Sequence, residues 1–476
     1  MKQDQTKVPS LFSIWLKLLM VALPLPLIWA LANPMFASPD EPAHMVRSQG
    51  IVQGDSKEPY VTDGIPSDAV GCIAFNSETT ANCMDLSWGQ EGLVQPSSTN
   101  AYPPLFHAVA GLPTLIFKGL GGAYIMRLWL AIVSASLFAL AAALLWFRQR
   151  HCWTIGGLIA AMTPMVVFTT ATVNPSGLTA ATASLIWAAG INITRPTDGS
   201  LKRASRLIFT FAVVLFPFLR RDALAWELAI LLILATTPNR QRVIELRKDP
   251  FIAGSLILAI ANMIFVWFTW SGAATDSFVS NSAVHGGGSW GSGLGSLYSK
   301  LLELIGLFGW LDSPMTNETW TLGTVLLGAF MTIAITGGQK AQSRTVTVTF
   351  VSMLLAPVLI GAVRFGYFQG RYLFPIWVGC ALLAGQALAE SDLPMSFLRR
   401  MFMFFVGFMA IIQFFAFAQN LRRYAVGRTG TWNLIQNANW HPPMMSNLSA
   451  LSGALVAIVI SLLAIRSVAK ISPLDT

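Results

Sequence analysis

Two adjacent carboxylates and a nearby imidazole, Asp40, Glu41 and His44, directly follow the first long apolar segment of the chain. A carboxylate can remove the proton from an attacking hydroxyl group. Pro39 and Pro42 bracket the pair and disfavour helical backbone at the residue before each proline. We therefore predict that both carboxylates lie on a turn at a membrane–water boundary, where ionisable groups are either solvated or functional. A merely solvated turn is the alternative interpretation.

Arginine side chains occur in two later segments that the same pattern places beside membrane spans. Arg220 and Arg221 precede Asp222, and Arg371 follows Gln369 after one glycine. A guanidinium group binds phosphate oxygens through paired N–H groups and stabilises the charge on a phosphate leaving group. The alternatives are a tight loop in which Asp222 offsets one arginine, and an arginine that only anchors a helix end at the lipid headgroups.

Further polar and aromatic residues complete a candidate site for a sugar that is attached to a lipid phosphate. Aromatic faces pack against sugar rings, although Trp310 and Trp440 also suit the interfacial belt of a membrane protein. The candidate substrate-binding residues are His44, Tyr102, Trp310, Asp312, Gln369 and Trp440.

The composition indicates a polytopic membrane protein with one transmembrane domain over residues 1–476. Of the 476 residues, 54% are hydrophobic and only 11% are charged, and the mean hydropathy is +0.59. The net charge of +9 does not indicate a nucleic-acid partner, because the basic residues are spread through short loops, as membrane orientation requires.

The apolar runs predict about twelve membrane spans of an all-α bundle. The segment 11–33 is longer than the apolar part of a signal peptide, so we expect it to remain as the first span. The segments 207–219 and 223–237 are short enough to be half-helices that meet inside the bilayer. The other predicted spans are 124–147, 153–173, 176–194, 251–271, 319–338, 345–363, 373–389, 401–419 and 447–465.

The distribution of Lys and Arg predicts that both termini are cytoplasmic. With this orientation 18 of the 31 basic residues lie inside and 12 lie outside, and Lys17 lies within the first span. The predicted outer loops are then 34–123, 272–318 and 420–446, and the apolar segment 104–120 is predicted to be a helix along the outer surface.

Cys72 and Cys83 lie near one another in the longest outer loop. No cluster of cysteines and histidines has the spacing of a zinc site. An oxidising compartment favours a disulfide between the two, and we predict one, although the sequence alone leaves two free thiols equally open.

Several segments of the chain resemble the signature segments of a known family. They are Ser-Pro-Asp-Glu-Pro-Ala-His at 38–44, Tyr-Pro-Pro-Leu at 102–105, 163–165 with 174–177, 308–312 with Pro314, and Gln-Gly-Arg-Tyr-Leu-Phe-Pro at 369–375. The family is the bacterial membrane-protein family called domain of unknown function 2142. It resembles the GT-C superfamily of integral-membrane glycosyltransferases, and the resemblance runs to about residue 445.

The resemblance implies a GT-C-like bundle in the bacterial cytoplasmic membrane. Such a protein transfers a sugar, by inverting displacement, from a polyprenyl-phosphate donor to a cell-envelope glycan or lipid acceptor. Asp40 would then be the catalytic base. Glu41 would orient the acceptor or bind a divalent cation with Asp40, which is the one cofactor considered. Arg371 would bind the donor phosphate, whereas the Arg220-Arg221-Asp222 segment departs from the expected single arginine followed by Pro or Gly.

Two other classes of function remain open from the sequence. A transporter or flippase of a lipid-linked sugar would use the same acidic turn as a proton or cation site. A non-catalytic assembly subunit would tolerate changes of the charged outer residues.

The predicted orientation can be tested with single cysteines introduced into the chain. Cysteines near Lys57 and Ser280 should react with a membrane-impermeant thiol reagent added to intact cells, and a cysteine near Lys202 should not, because the charge bias places it inside. The unmodified chain gives the background. Labelling near Lys202 in intact cells would contradict the orientation.

Overall fold

The computed structural model describes residues 9–195, 197, 199–236, 240–270, 290–362 and 368–470. These residues are mostly helical, and the predicted all-α polytopic architecture is confirmed. The predicted outer loop 272–318 is described only from residue 290, so Ser280 lies outside the described residues.

The helices are α1 Leu11–Ala22, α2 Pro24–Ala32, α3 Glu41–Gln53, α4 Leu105–Gly111, α5 Gly119–Gln149, α6 Cys152–Ala161, α7 Pro164–Thr170, α8 Pro175–Thr194, α9 Gly199–Leu215, α10 Ala223–Thr236, α11 Arg240–Arg247, α12 Pro250–Trp270, α13 Trp290–Gly306, α14 Asn317–Gly337, α15 Lys340–Ala362, α16 Phe374–Ala389, α17 Met395–Val426 and α18 Asn447–Ala469. The short 3₁₀ helices are Ser67–Cys72, Ala81–Cys83, Leu112–Leu115, Phe216–Phe218 and Gly370–Leu373. Strands β1 Tyr60–Thr62 and β2 Leu93–Gln95 pair antiparallel, and so do β3 Leu307–Phe308 and β4 Ser313–Pro314.

Within the described ranges, nine helical segments are long and apolar enough to cross a membrane, or ten if the bent pair α6 and α7 counts as one span. The predicted count of twelve spans is therefore not confirmed. The predicted spans 207–219 and 223–237 account for the difference. Helix α9 begins with a basic turn, and the 14 residues of α10 rise only about 21 Å, less than the roughly 30 Å of a hydrocarbon core.

Contacts at the two ends of the bundle show which helix ends lie together. At one end, Glu390 accepts hydrogen bonds from Gln149 (2.7 Å) and Arg195 (3.1 Å) and forms an ion pair with Arg148 (3.4 Å). At the opposite end, which we call the Asp40 end, Asn174 contacts the acidic turn and Arg220 contacts Ser176. Although α9 and α10 are short, the chain passes between the two ends through each of them.

Small residues let the central helices pack closely. Helix α8 and the segment Gly370–Ala389 are the most buried of the candidate spans. Gly385 of α16 lies against α6, where a Cβ atom would stand only 2.5 Å from the carbonyl oxygen of Trp153. Such close backbone approach stabilises helix pairs in lipid, where apolar side chains gain little from mutual burial. The tightly packed centre therefore gives a rigid base for the loops at the Asp40 end.

The loop between α3 and α4 is anchored to the bundle by one buried arginine. Cys72 and Cys83 form a disulfide within this loop. Arg423 of α17 donates hydrogen bonds to the carbonyl oxygens of Ile73 (2.8 Å) and Thr79 (2.6 Å), both of which lie between the two cysteines. The segment predicted as a surface helix folds as α4 and the short 3₁₀ helix after it, with Ile116 78% exposed beyond its end.

Candidate active site

The two adjacent carboxylates lie in different backbone environments. Asp40 precedes α3 with a φ of 63°, in the left-handed region that Asp adopts more readily than most residues. Glu41 is the first residue of α3. The prediction that both lie on a turn is therefore wrong for Glu41. The reason is that Pro42 lies in the first turn of the helix. Backbone N–H groups in this turn have no intrahelical acceptor, so proline, which lacks an N–H group, is tolerated there. The consequence is that the two side chains diverge.

Glu41 forms a buried ion pair with Arg127 of α5. Its Oε1 accepts from the Arg127 Nε at 2.8 Å, its Oε2 accepts from the terminal Nη2 at 2.6 Å, and neither side chain is exposed. The backbone N–H of Val173 donates to the same carboxylate at 2.9 Å. Because its oxygens are already engaged, a divalent cation shared by Asp40 and Glu41 does not fit this arrangement.

The acidic turn is also fixed by the residues before α8. The side-chain amide of Asn174 donates to the carbonyl oxygen of Pro39 and to the hydroxyl of Ser38, both at 3.2 Å. Asn174 also caps α8, because its Oδ1 accepts from the Ser176 N–H at 3.0 Å. One buried asparagine thus ties the start of α8 to the turn that carries Asp40.

Asp40 faces Arg371 across a loose ion pair. The Asp40 Oδ2 and the Arg371 Nη2 are 3.7 Å apart; the Asp40 side chain is 47% exposed, whereas that of Arg371 is 3% exposed. The Nε and Nη1 of Arg371 are buried and have no hydrogen-bond partner in the described residues. A buried guanidinium with unused donors is unusual, because buried polar groups are normally paired. These two N–H donors could serve an additional hydrogen-bond acceptor, such as an anion.

A second arginine converges on the same place. Arg220 lies over the ring of Tyr372, with its guanidinium carbon 4.0 Å from the ring centroid. Its Nε is 2.6 Å from an Asp222 oxygen, and its Nη1 donates to the Ser176 hydroxyl at 2.7 Å. Since Tyr372 directly follows Arg371, the two arginines approach one ring from different parts of the chain.

His44 and Tyr102 form an aromatic wall beside this cluster. The His44 Nδ1 is 3.1 Å from the His107 Nε2, and the Tyr102 ring is 5.4 Å from the His44 ring. Burial lowers the pKa of His44 well below its usual value, and the positive charges of Arg371 and Arg220 act in the same direction. Burial raises the pKa of Tyr102 to about 12. At neutral pH His44 is therefore uncharged and Tyr102 keeps its proton.

The remaining predicted substrate contacts have other partners or lie elsewhere. The Trp310 indole N–H donates to the carbonyl oxygen of Phe36 at 3.0 Å, and Asp312 pairs with the buried Arg423 at 3.3 Å. Trp440 packs against Tyr424, with ring centroids 6.3 Å apart. The buried amide oxygen of Gln369 has no hydrogen-bond partner among the residues that the structure describes, and Arg221 is partly exposed beside Arg220.

The family model described as predicted membrane protein (DUF2142) matches residues 23–380. The chain belongs to this family. The matched range includes the acidic turn, Arg220 and Arg371, and it ends before Trp440. No curated protein matches the chain.

Two solved structures are similar to the chain over most of its length. ArnT from Cupriavidus metallidurans in the apo state is 14% identical, with 97% of this chain and 78% of ArnT covered and a TM-score of 0.48. ArnT from the same organism bound to undecaprenyl phosphate is 12% identical, with 97% of this chain and 77% of ArnT covered and a TM-score of 0.48.

Some members of this site in the DUF2142 chain were missed by reasoning from the sequence. The position of Arg127 gives a usable signal, because an arginine followed by the long apolar part of α5 needs a buried partner. Tyr372 stands next to a predicted residue, but a tyrosine at a helix end also suits the membrane interface. His107 gives no such signal, because its contact with His44 joins positions 63 residues apart.

The Glu41–Arg127 pair predicts a strong effect on stability. Glu41→Gln should lower the free energy of unfolding by about 3–5 kcal/mol, because it leaves the buried Arg127 charge uncompensated. Thermal unfolding of purified protein measures this loss. Glu318→Gln, at an exposed position of α14, should leave the unfolding temperature unchanged and serves as the control. Equal stability of the Glu41→Gln variant and the parent would contradict the structural role.

Proposed function

We propose that this protein is a membrane glycosyltransferase. It transfers a sugar from a polyprenyl-phosphate donor to a cell-envelope glycan or lipid acceptor on the extracytoplasmic side of the bacterial cytoplasmic membrane. The observation that carries the proposal is the pairing of a half-exposed carboxylate, Asp40, with the buried Arg371, whose Nε and Nη1 have no hydrogen-bond partner among the described residues. A base and an anion site at this distance suit attack of a hydroxyl group on a sugar phosphate.

In the proposed reaction, Asp40 accepts the proton of the acceptor hydroxyl as its oxygen attacks the anomeric carbon. The bond between that carbon and the phosphate oxygen breaks, and polyprenyl phosphate leaves from the opposite face. The configuration at the anomeric carbon is therefore inverted. Arg371 stabilises the negative charge that grows on the phosphate, and no step uses a metal ion.

The charges around the site favour an anionic ligand. Among the described residues, the cluster combines three guanidinium groups (Arg220, Arg221 and Arg371) with two carboxylates (Asp40 and Asp222), so the cluster has a net positive charge. The neutral state of His44 adds no charge of either sign. In a partly buried site such an excess is screened less than on a surface, and it attracts a phosphate more strongly.

Arg220 is the second arginine that we assign to the phosphate site. Its Nε is already paired with Asp222 and its Nη1 with Ser176. It therefore has fewer free donors than Arg371, and we assign it the weaker contact with the phosphate. Arg221 is placed at the rim, where its partly exposed side chain can meet the donor as it enters.

Asp40→Asn provides the main test. The amide is nearly isosteric and preserves the turn, but it cannot accept the proton. Transfer should therefore fall by about 10²–10⁴-fold while the unfolding temperature is unchanged. The measurement supplies purified protein with a polyprenyl-phosphate sugar and cell-envelope acceptor and quantifies the glycosylated product. Asp85→Asn, on the exposed part of the outer loop, is the matched control and should retain full activity.

The same assay separates the alternatives. Equal product from the parent and a well-folded Asp40→Asn variant would exclude Asp40 as the base. If the parent forms no product with any donor but moves a lipid-linked sugar across vesicle membranes, the protein is a transporter and the proposal is wrong.

Arg371→Lys tests the phosphate site separately. Lysine keeps the charge but lacks the planar pair of donors, so the KM for the donor should rise while folding is preserved. Initial rates at limiting donor measure the change. Arg428→Lys, at an exposed position after α17, is the control. A lysine variant with the parent's KM would show that Arg371 only anchors the chain at the interface.

A further inference from the structure

A buried carboxylate on α13 holds the turn that contains Arg371. Glu303 is 6% exposed, and its Oε2 accepts the backbone N–H of Gly370 at 2.5 Å. Its Oε1 accepts from the Lys300 Nζ at 2.6 Å. A carboxylate that accepts an N–H group at the start of a helical turn forms a strong, charge-assisted bond. Glu303 therefore fixes the backbone directly before Arg371.

Gly370 allows this close approach. A Cβ atom at Gly370 would lie 2.3 Å from the carbonyl oxygen of Lys300 and 2.5 Å from the Cβ of Glu303. The short 3₁₀ helix Gly370–Leu373 thus packs directly on α13. Helix α13 is held in turn by α7, because the Thr163 hydroxyl donates to the carbonyl oxygen of Leu304 at 2.9 Å.

The position of the Arg371 guanidinium depends on this backbone contact. Its pairing with Asp40 is long, at 3.7 Å, and its Nε and Nη1 have no partner among the described residues. Side-chain hydrogen bonds therefore do little to fix it. The same turn carries Tyr372, against which Arg220 lies. Any shift of the turn moves both arginines relative to Asp40.

We propose that Glu303 is a positioning residue for phosphate recognition by Arg371. It acts through the Gly370 N–H, and the ion pair with Lys300 orients its carboxylate. This inference rests on the proposed function, because it assumes that Arg371 binds the phosphate of a polyprenyl donor. It adds a residue on helix α13, outside the acidic turn and the arginine segments.

The test compares two probes that differ only in the phosphate. Farnesyl phosphate and farnesol are titrated into the purified protein in nanodiscs, and the ratio of their dissociation constants gives the preference for phosphate. The parent should prefer farnesyl phosphate. Glu303→Ala should reduce this preference about tenfold or more, because misplacement of a binding group by about 1 Å can cost up to about 10²-fold. Farnesol binding should stay the same.

Glu303→Gln keeps an oxygen that can accept the Gly370 N–H but loses the charge that pairs with Lys300. It should restore part of the preference, which a loss of folding would not do. If the Glu303→Ala variant does not fold, the Glu303→Gln variant alone tests the positioning role. Glu318→Ala, at the exposed start of α14, should keep the parent's preference. For variants with activity, the KM for the donor should rise more than kcat falls.

The outcomes distinguish this inference from the proposed function. A parent without any preference for farnesyl phosphate would overturn both. A parent with the preference, together with Glu303 variants that keep it, would overturn only the positioning role. Lower thermal stability of the Glu303 variants with an unchanged preference would show that Glu303 is purely structural, and it would overturn the inference as well.

Discussion

The arrangement at the Asp40 end depends on the buried ion pair between Glu41 and Arg127. Burying two charges costs several kcal/mol for each ion, and the cost is offset only where geometry and hydrogen bonding are nearly complete. Both conditions hold, since Arg127 also donates to the carbonyl oxygens of Asn33 (3.0 Å) and Pro34 (2.8 Å). The pair thus joins the end of α2, the start of α3 and the first part of α5. With Glu41 turned inward, the left-handed backbone at Asp40 directs its side chain to the exposed side.

This division explains how two neighbouring carboxylates take different roles. Glu41 accepts hydrogen bonds from a guanidinium and from the Val173 N–H, so it has little capacity left for a substrate. Asp40 has one distant cationic neighbour and remains half-exposed. A site built in this way is fixed where it touches the bundle and open at Asp40, where we propose that the ligand binds. Rigid support with an open reactive group is what precise positioning of a substrate requires.

The sequence predicted the elements that depend on local pattern. The length of the apolar runs predicted the long spans. The acidic segment between two prolines and the arginine segments predicted that Asp40 and Arg371 belong to one site. The short helices α9 and α10 were harder to predict from the sequence. Their positions depend on contacts such as that of Arg220 with Ser176 rather than on the length of an apolar run. The role of Glu41 could not be predicted, since it depends on Arg127, 86 residues away. Pairings between such distant residues are set by packing, and no local sequence pattern identifies the two partners.

The turn Gly370–Leu373 is the point where separate parts of the chain come together. Its first residue is held by Glu303, its second faces Asp40, and its third receives the guanidinium of Arg220 on its ring. Three consecutive residues thus connect α13, the acidic turn and the loop before α10. Because a 3₁₀ turn is short and fixed by few hydrogen bonds, its geometry follows its neighbours closely. The two arginines can therefore keep a constant spacing from Asp40 only while all three contacts persist, which makes the turn the element that unites the proposed base and the proposed anion site.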